Sequence, residues 1–473
     1  MFSKLTSLFI LVIASLLSFG QPGVAINTNG AAPSAAAILD ISSTGKGVLL
    51  PRMSSNQRKA IANPEPGLLV YDLDKSSFYM YEGAQWRPIG FTTEKLLPLI
   101  ERTPTTDDGS VQLGCDVGIF GLYAVAGARE EANGLLHSQG AVYVYHKDNN
   151  TWKLLQKLQP ADGGNYDNFG KSVAIYNDII VVGASSSKVN GLSAGALYIY
   201  KRTGTTWNLV KKLLPPIPEE NGGFGDDVSV YNGKILVGCP RKTINGLTNS
   251  GIAYLYDNIN NDWLLTKEFV QATPRLYGSF GESVKIYNND VVIGYPGNLV
   301  DNLKTGSVQV FTRNPVNNTW QETSLAPSSF YSKAGMSFGA AVDIYKDSLI
   351  VGAPQYAYSV NNVSYPNAGV RLIYKRIGNV WQGPSISEGT KTNLYSGTAV
   401  AIGHKYYLES SPGESGGGMV DAGYYGYHQK YYEIERSGGA EFGKSVAISG
   451  NDFIIGAPGK NNGTGSVQFG TFE

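Results

Sequence analysis

Hydrophobic and polar positions alternate in short runs along most of this chain. Ser172 to Tyr176 alternates polar and apolar, Ile179 to Val182 is continuously apolar, Ala196 to Tyr200 alternates again, and Trp207 to Leu213 closes the group. Runs of this length and period are strands. Only Asn177-Asp178 separates the first two. The same place holds Asn232-Gly233, Lys346-Asp347 and Asn451-Asp452 further on, and residues that tolerate positive φ there predict tight hairpin turns. The third strand starts after a glycine (Gly140, Gly195, Gly251, Gly306, Gly369) and ends on an aromatic (Tyr145, Tyr200, Tyr256, Phe311, Tyr374). The fourth opens at Trp152, Trp207, Trp263, Trp320 or Trp381.

The group recurs. Each copy opens on an aromatic-glycine step or a worn version of it, and its second strand ends in a Val/Ile-Gly-Ala-Pro-like tetrad. Phe169-Gly170-Lys171-Ser172-Val173 runs to Val182-Gly183-Ala184, Phe338-Gly339 to Val351-Gly352-Ala353-Pro354, and Phe442-Gly443-Lys444-Ser445-Val446 to Ile455-Gly456-Ala457-Pro458. Weaker copies open at Leu113-Gly114, Phe224-Gly225, Phe280-Gly281 and Ser396-Gly397. Seven copies at a period of about 55 residues predict units that bury their faces only against one another. The expected fold is all-β: a seven-bladed β-propeller of four-stranded blades over 93–473, preceded by a small α+β module over 22–92. The regular tryptophans are expected to fill the space between neighbouring blades. The last copy stops after its third strand, and Glu94 to Leu99 resembles the fourth-strand text Trp152 to Lys157. The N-terminal stretch is therefore expected to complete the seventh blade and leave no open edge.

On these residues, about 109–473 resembles the FG-GAP repeats that form the seven-bladed head of integrin α subunits and occur in many secreted bacterial surface proteins. Members that bind calcium carry an Asp-x-Asp-x-Asp-Gly-like loop between first and second strands, whose oxygens wrap the ion. Here that loop is a bare turn in all seven copies, so calcium is not carried over. No metal site and no cofactor are expected.

The text of 22–92 is different. Gly23 to Thr28, Leu39 to Gly47, Leu50-Pro51-Arg52-Met53, Gln57 to Ile61 and Pro64 to Tyr71 resemble a short module at the head of secreted bacterial surface proteins and phage tail-fibre-like chains, although Ala25 stands where a glycine is usual. Ser54-x-x-Gln57 is a capping box opening a short helix to Ile61. Leu68 to Tyr71 and Phe78 to Tyr81 predict a hairpin ending near Trp86. A module this small has little core of its own, which favours reliance on the propeller or self-association. Ahead of it, residues 1–20 carry Lys4, an apolar stretch from Leu8 to Leu17 and a small-residue exit at Ser18-Phe19-Gly20, the pattern of a secretory signal peptide. The expected location is outside the cell or on its surface, with no membrane insertion.

Lys plus Arg and Asp plus Glu both number 38, and charged residues make up only 16 %. That balance gives no footprint for nucleic acid. Cys115 and Cys239 fall in non-adjacent blades and are read as two buried thiols. Gly413-Glu414-Ser415-Gly416-Gly417-Gly418 looks like a serine-nucleophile loop, but a nucleophilic serine needs a base and an orienting acid. His137, His146, His404 and His428 offer no such context, so the string is read as a glycine loop with no catalytic residue. Asp226-Asp227 and Glu219-Glu220 are read as solvated acidic pairs.

What remains is surface. The connections between blades, and between second and third strands, are long and irregular, and they share one face of such a ring. Variable loops on a rigid scaffold are where binding concentrates. Tyr166, Arg275, Tyr277, Tyr356 and Tyr358 are the candidate ligand-binding residues, because tyrosine and arginine combine contact area with hydrogen bonding. The expected function is an exported, non-enzymatic binding or adhesion protein whose loop-rich face meets an extracellular protein or glycan. The alternatives are a structural component of a surface fibre or assembly, and a secreted enzyme acting on polysaccharide through acidic residues at a channel mouth.

Overall fold

The computed structural model describes residues 23–74, 77–82, 85–89, 96, 99–104, 110–327, 333–360, 363–389, 391–413, 417–424, 430–435 and 441–472. The predicted signal peptide and Glu414 to Gly416 lie outside the described residues. The chain divides into two compact units, Met1–Thr92 and Thr93–Glu473. No helix among the described residues is long and apolar enough to cross a membrane.

In the first unit Val24–Ile26 pairs in parallel with Leu39–Ile41. The helix is Ser55–Lys59, and its capping box is present: the Ser54 side chain accepts from the Gln57 backbone while the Gln57 side chain accepts from the Ser54 N–H. Arg52–Met53, Leu69–Asp72, Ser77–Glu82 and Gln85–Ile89 form one sheet in that order. The predicted hairpin is there, with Leu69 opposite Met80 and Tyr81 opposite Trp86. Arg58 is buried against Asp72 at 2.8 Å and lies 3.9 Å over the Tyr79 ring. Both charges of that pair are satisfied, as a buried ion pair requires.

The second unit is all-β, and its strands form four-stranded sheets that follow one another along the sequence. In the second of these, Phe169–Tyr176, Ile179–Ala184, Ala196–Thr203 and Thr206–Leu213 run antiparallel in chain order. The other first strands are Leu113–Phe120, Val228–Tyr231, Val284–Tyr287, Ala341–Tyr345, Val400–Ile402 and Ser445–Ser449. Each apolar cluster of this unit is built from two successive sheets; one joins Phe169 and Tyr198 to Val142 and Val144 of the sheet before. Another joins Ile454, Val467 and Phe469 of the last sheet to Leu113 and Tyr143 of the first.

The recurrent glycines have a common cause. A Cβ on Gly127 would overlap the carbonyl of Gly170 in the next sheet, and Gly183 stands likewise to Gly225, Gly238 to Gly281, Gly294 to Gly339, Gly352 to Gly397, and Gly456 to Gly114. The tetrad glycine of one sheet thus receives the backbone of the following aromatic-glycine step. Gly140 bridges to Phe169 in parallel, and Gly195, Gly251 and Gly306 do the same to Phe224, Phe280 and Phe338. The series returns on itself at Gly465 and Leu113. The tryptophans lie between sheets as expected: Trp152 stacks on Phe469 of the last sheet at 4.8 Å, and Trp207 meets Tyr123 edge-on at 5.7 Å.

The last sheet is completed from the N-terminal side, but in a shifted register. Its fourth strand is Ile100–Arg102, paired with Val467 to Phe469. Within the expected stretch 94–99, Leu96 bridges to Phe472. Lys147, five residues beyond Val142, faces Trp152 in the first sheet, so Leu96 takes the tryptophan's place. The text match had put Glu94 there. The place faces the cluster of Tyr406 and Phe453, where Leu96 is partly buried, and burial selects leucine over glutamate.

Candidate binding site

The long connections are more ordered than their composition suggests. Lys188–Val189 pairs with Leu192–Ser193, Leu299–Val300 with Leu303–Lys304, and Tyr358–Val360 with Val363–Tyr365, so three of the second-to-third connections are two-stranded ribbons. Tyr358 lies in the last of these and stacks on Tyr365 at 5.9 Å. Tyr356 is not a surface residue. It is 4 % exposed, packs with Met336, Phe338 and Val370, and its hydroxyl donates to Glu388 at 2.8 Å.

Tyr166 and Tyr277 are exposed, at 62 % and 56 %, and Arg275 is exposed beside Tyr277. Both tyrosines stand three residues before an aromatic-glycine step and have positive φ, 63° and 55°. Equivalent places in three other connections hold Asn221, Gly335 and Asn393, at 59°, 77° and 58°. Tyr166 stacks on His137, and its N–H donates to the His137 carbonyl. Tyr277 donates likewise to Thr248. The two lead into the second and fourth sheets, with Asn221 in the connection between them. Tyr395, again at positive φ, leads into the sixth. Sequence reasoning missed His137 and Tyr395, whose signal lay in their registration with the repeat.

The first strands of all the sheets surround a central space. At their start lies a polar cavity of about 200 Å³, lined by Lys171, Asp226, Asp227, Glu282, Lys285 and Lys444 among others. Asp116 accepts from Val117 and, across to the next sheet, from Val173 at 2.7 Å; Asp227 does the same for Val228 and Val284, and Asp343 for Ile344 and Ile402. These carboxylates stitch neighbouring first strands together. Asp226-Asp227 is therefore not a solvated pair: Asp226 binds Arg241, and Asp227 faces the central space. Glu219 pairs with Lys242 at 2.9 Å. Burial, reinforced by the Asp227 charge, pushes the Asp116 carboxyl up to about 6. Burial raises Asp227 and Asp343 as well. For Lys285, burial works against the charge, but Asp343, Asp227 and Asp116 outweigh it and hold the ammonium above its ordinary range.

At the other end of the same strands, beside the tight turns, is a second cavity of about 280 Å³. Its rim is a crescent of rings. Phe120, Tyr176, Tyr231, Tyr287 and Tyr345 follow one another with centroids 4.7, 4.6, 4.9 and 5.3 Å apart, and His404 continues the series at 6.3 Å. Gly403, Ser449 and Gly450 leave the crescent open between the sixth and seventh sheets. Tyr231 donates to Asn288 at 2.8 Å, and burial with the neighbouring Tyr176 and Tyr287 pushes its phenol up to about 12. These rings, each just before a two-residue turn, were not singled out in the sequence, although they recur with the repeat. Both cysteines are free. Cys239 is buried, whereas Cys115 is half-buried at the polar cavity, and burial pushes their thiols to about 12 and about 11.

Two families match parts of this chain. Residues 152–200 and 435–469 match the FG-GAP repeat, covering much of the second sheet and of the last. Residues 25–104 match the phage tail like trimerisation region, a range that runs past the first unit and takes in Ile100–Arg102. These are the two resemblances carried by the sequence. No curated protein matches the chain.

Proposed function

We propose that residues 93–473 are a seven-bladed β-propeller and that the chain is an exported, non-enzymatic binding or adhesion protein, engaging an extracellular protein or glycan through its loop-rich face. One observation carries the reading. Tyr166 and Tyr277 hold backbone conformations that three sibling connections give to asparagine or glycine, and both rings face solvent. An exposed aromatic kept in a strained conformation is retained for what it touches rather than for stability. A non-enzymatic role is supported by the carboxylates of the central space, since Asp116, Asp227 and Asp343 are each engaged with two backbone N–H groups.

The test is an array of surface glycans and extracellular proteins probed with the chain lacking residues 1–20. A ligand should appear, and Tyr166→Asn with Tyr277→Asn should weaken it by about 1 kcal/mol or more. Undiminished binding by the double variant would move the site elsewhere.

A structural role in a surface assembly is a second reading, favoured by the first unit. Val24, Ile26, Ile38, Leu39, Val48 and Leu49 are all exposed there, Ile38 at 81 % and Leu49 at 78 %. Apolar exposure this dense marks an interaction surface, and the trimerisation-region match is compatible with a second and third copy covering it.

A further inference from the structure

We propose that the ring-lined cavity beside the tight turns is a separate binding site, for a neutral sugar residue, independent of the loop-rich face. The rings are not merely filler between sheets. The aromatics that do fill those interfaces, such as Phe169, Phe224 and Phe280, have no exposure, whereas Tyr176, Tyr231, Tyr287 and Tyr345 are half-buried and line an open space. Lys285 lines this cavity and the polar one. Its ammonium makes no direct hydrogen bond or ion pair among the described residues, and the charges of Asp343, Asp227 and Asp116 hold it through space. Half-buried at the wall of an open space, it can donate to the hydroxyl oxygens of an occupant.

Charge narrows the class. Of the acidic residues near Lys285 only Asp343 lines this cavity, one charge against the other, so the lining favours neither an anion nor a cation. A cation would meet Lys285 within and Lys346 over the Tyr345 ring at the rim. A neutral ligand with one apolar face and several hydroxyls fits both constraints: its C–H face lies on the tyrosine rings while its hydroxyl oxygens accept from Lys285. At about 280 Å³ the space is at the low end for ligand sites and suits a single sugar ring entering through the gap at Gly403 and Ser449.

Calorimetry or saturation-transfer NMR on the full chain, with glucose, galactose, mannose and N-acetylglucosamine, is the test. At least one should bind in the millimolar range, glucuronate should bind more weakly than its neutral counterpart, and Tyr166→Asn should change nothing. Lys285→Met and Tyr287→Leu should each weaken binding about tenfold. Should Lys285→Met not fold, Tyr287→Leu and the neutral-to-anionic ratio in the unaltered protein still decide. Failure of all four sugars to bind, a preference for glucuronate, or full binding by folded Tyr287→Leu would each overturn the assignment. Loss of binding in Tyr166→Asn would instead assign the sugar to the loop-rich face.

Discussion

An L-residue at positive φ brings its Cβ against the backbone, a cost of about 1–2 kcal/mol that asparagine largely escapes through local hydrogen bonding. Tyr166 and Tyr277 bear that cost; Asn221 and Asn393, at the same place, do not. Replacing either tyrosine by asparagine should therefore leave the melting temperature unchanged or raise it by about 2 °C, while binding falls. A drop of several degrees would make the tyrosines structural. Asp116 offers a test by pH. Its carboxyl titrates near 6 when folded and near 4 when unfolded. Below pH 4 both states hold the proton. Between about pH 4 and 6 only the folded chain keeps it, so Asp116 makes stability fall as pH rises through that window, by about 1–3 kcal/mol. Asp116→Asn should flatten denaturant-measured stability between pH 4 and 6, with Asp227 and Asp343, whose carboxyls burial also raises, supplying what slope remains. An unchanged slope would remove Asp116 as its source.

Among the elements, the closing strand is the most exposed to test. Ile100–Arg102 contributes one short ladder and, through Arg102, donates to the Trp152 carbonyl of the first sheet at 2.9 Å. A chain starting at residue 105 should melt clearly below one starting at 93, since Ser466–Thr471 would be left as an open edge. Equal melting would mean that the strand adds nothing. That such a strand exists was legible from the repeat; its register was not. Lys-Leu-Leu text pointed to Glu94, while the position opposite Phe472 needed an apolar side chain, which Leu96 supplies. Element boundaries were legible wherever turn chemistry fixed them, as at Asn177-Asp178. The ribbon after Tyr356 carried no such signal, so a residue read as a loop anchor proved to be core. The crescent of tyrosines escaped notice for a different reason. Periodicity had already assigned each ring to a strand end, and only the convergence of the first strands makes five strand ends one rim.

For the whole molecule, the exposed apolar residues between Val24 and Leu49 set an expectation about assembly. Light scattering should give the full chain about three times the mass of one copy, and a chain beginning at residue 93 the mass of one; a monomeric full chain would leave that apolar surface without a self-association role. The family of sheets was legible because the repeat imposes the same burial on every copy, and the ligand was not, because loops and rim residues vary from copy to copy. The closing pair also has a consequence in time. Arg102 and Val467 lie roughly 365 residues apart. At about 5–20 residues per second, synthesis leaves the first without its partner for tens of seconds, while the intervening sheets can already meet their neighbours. A waiting strand is a template for the wrong partner. This one is three residues long, two of them the charged Glu101 and Arg102, which makes it a poor seed for pairing with another chain and lets the first strand of this unit to be made be the last one captured.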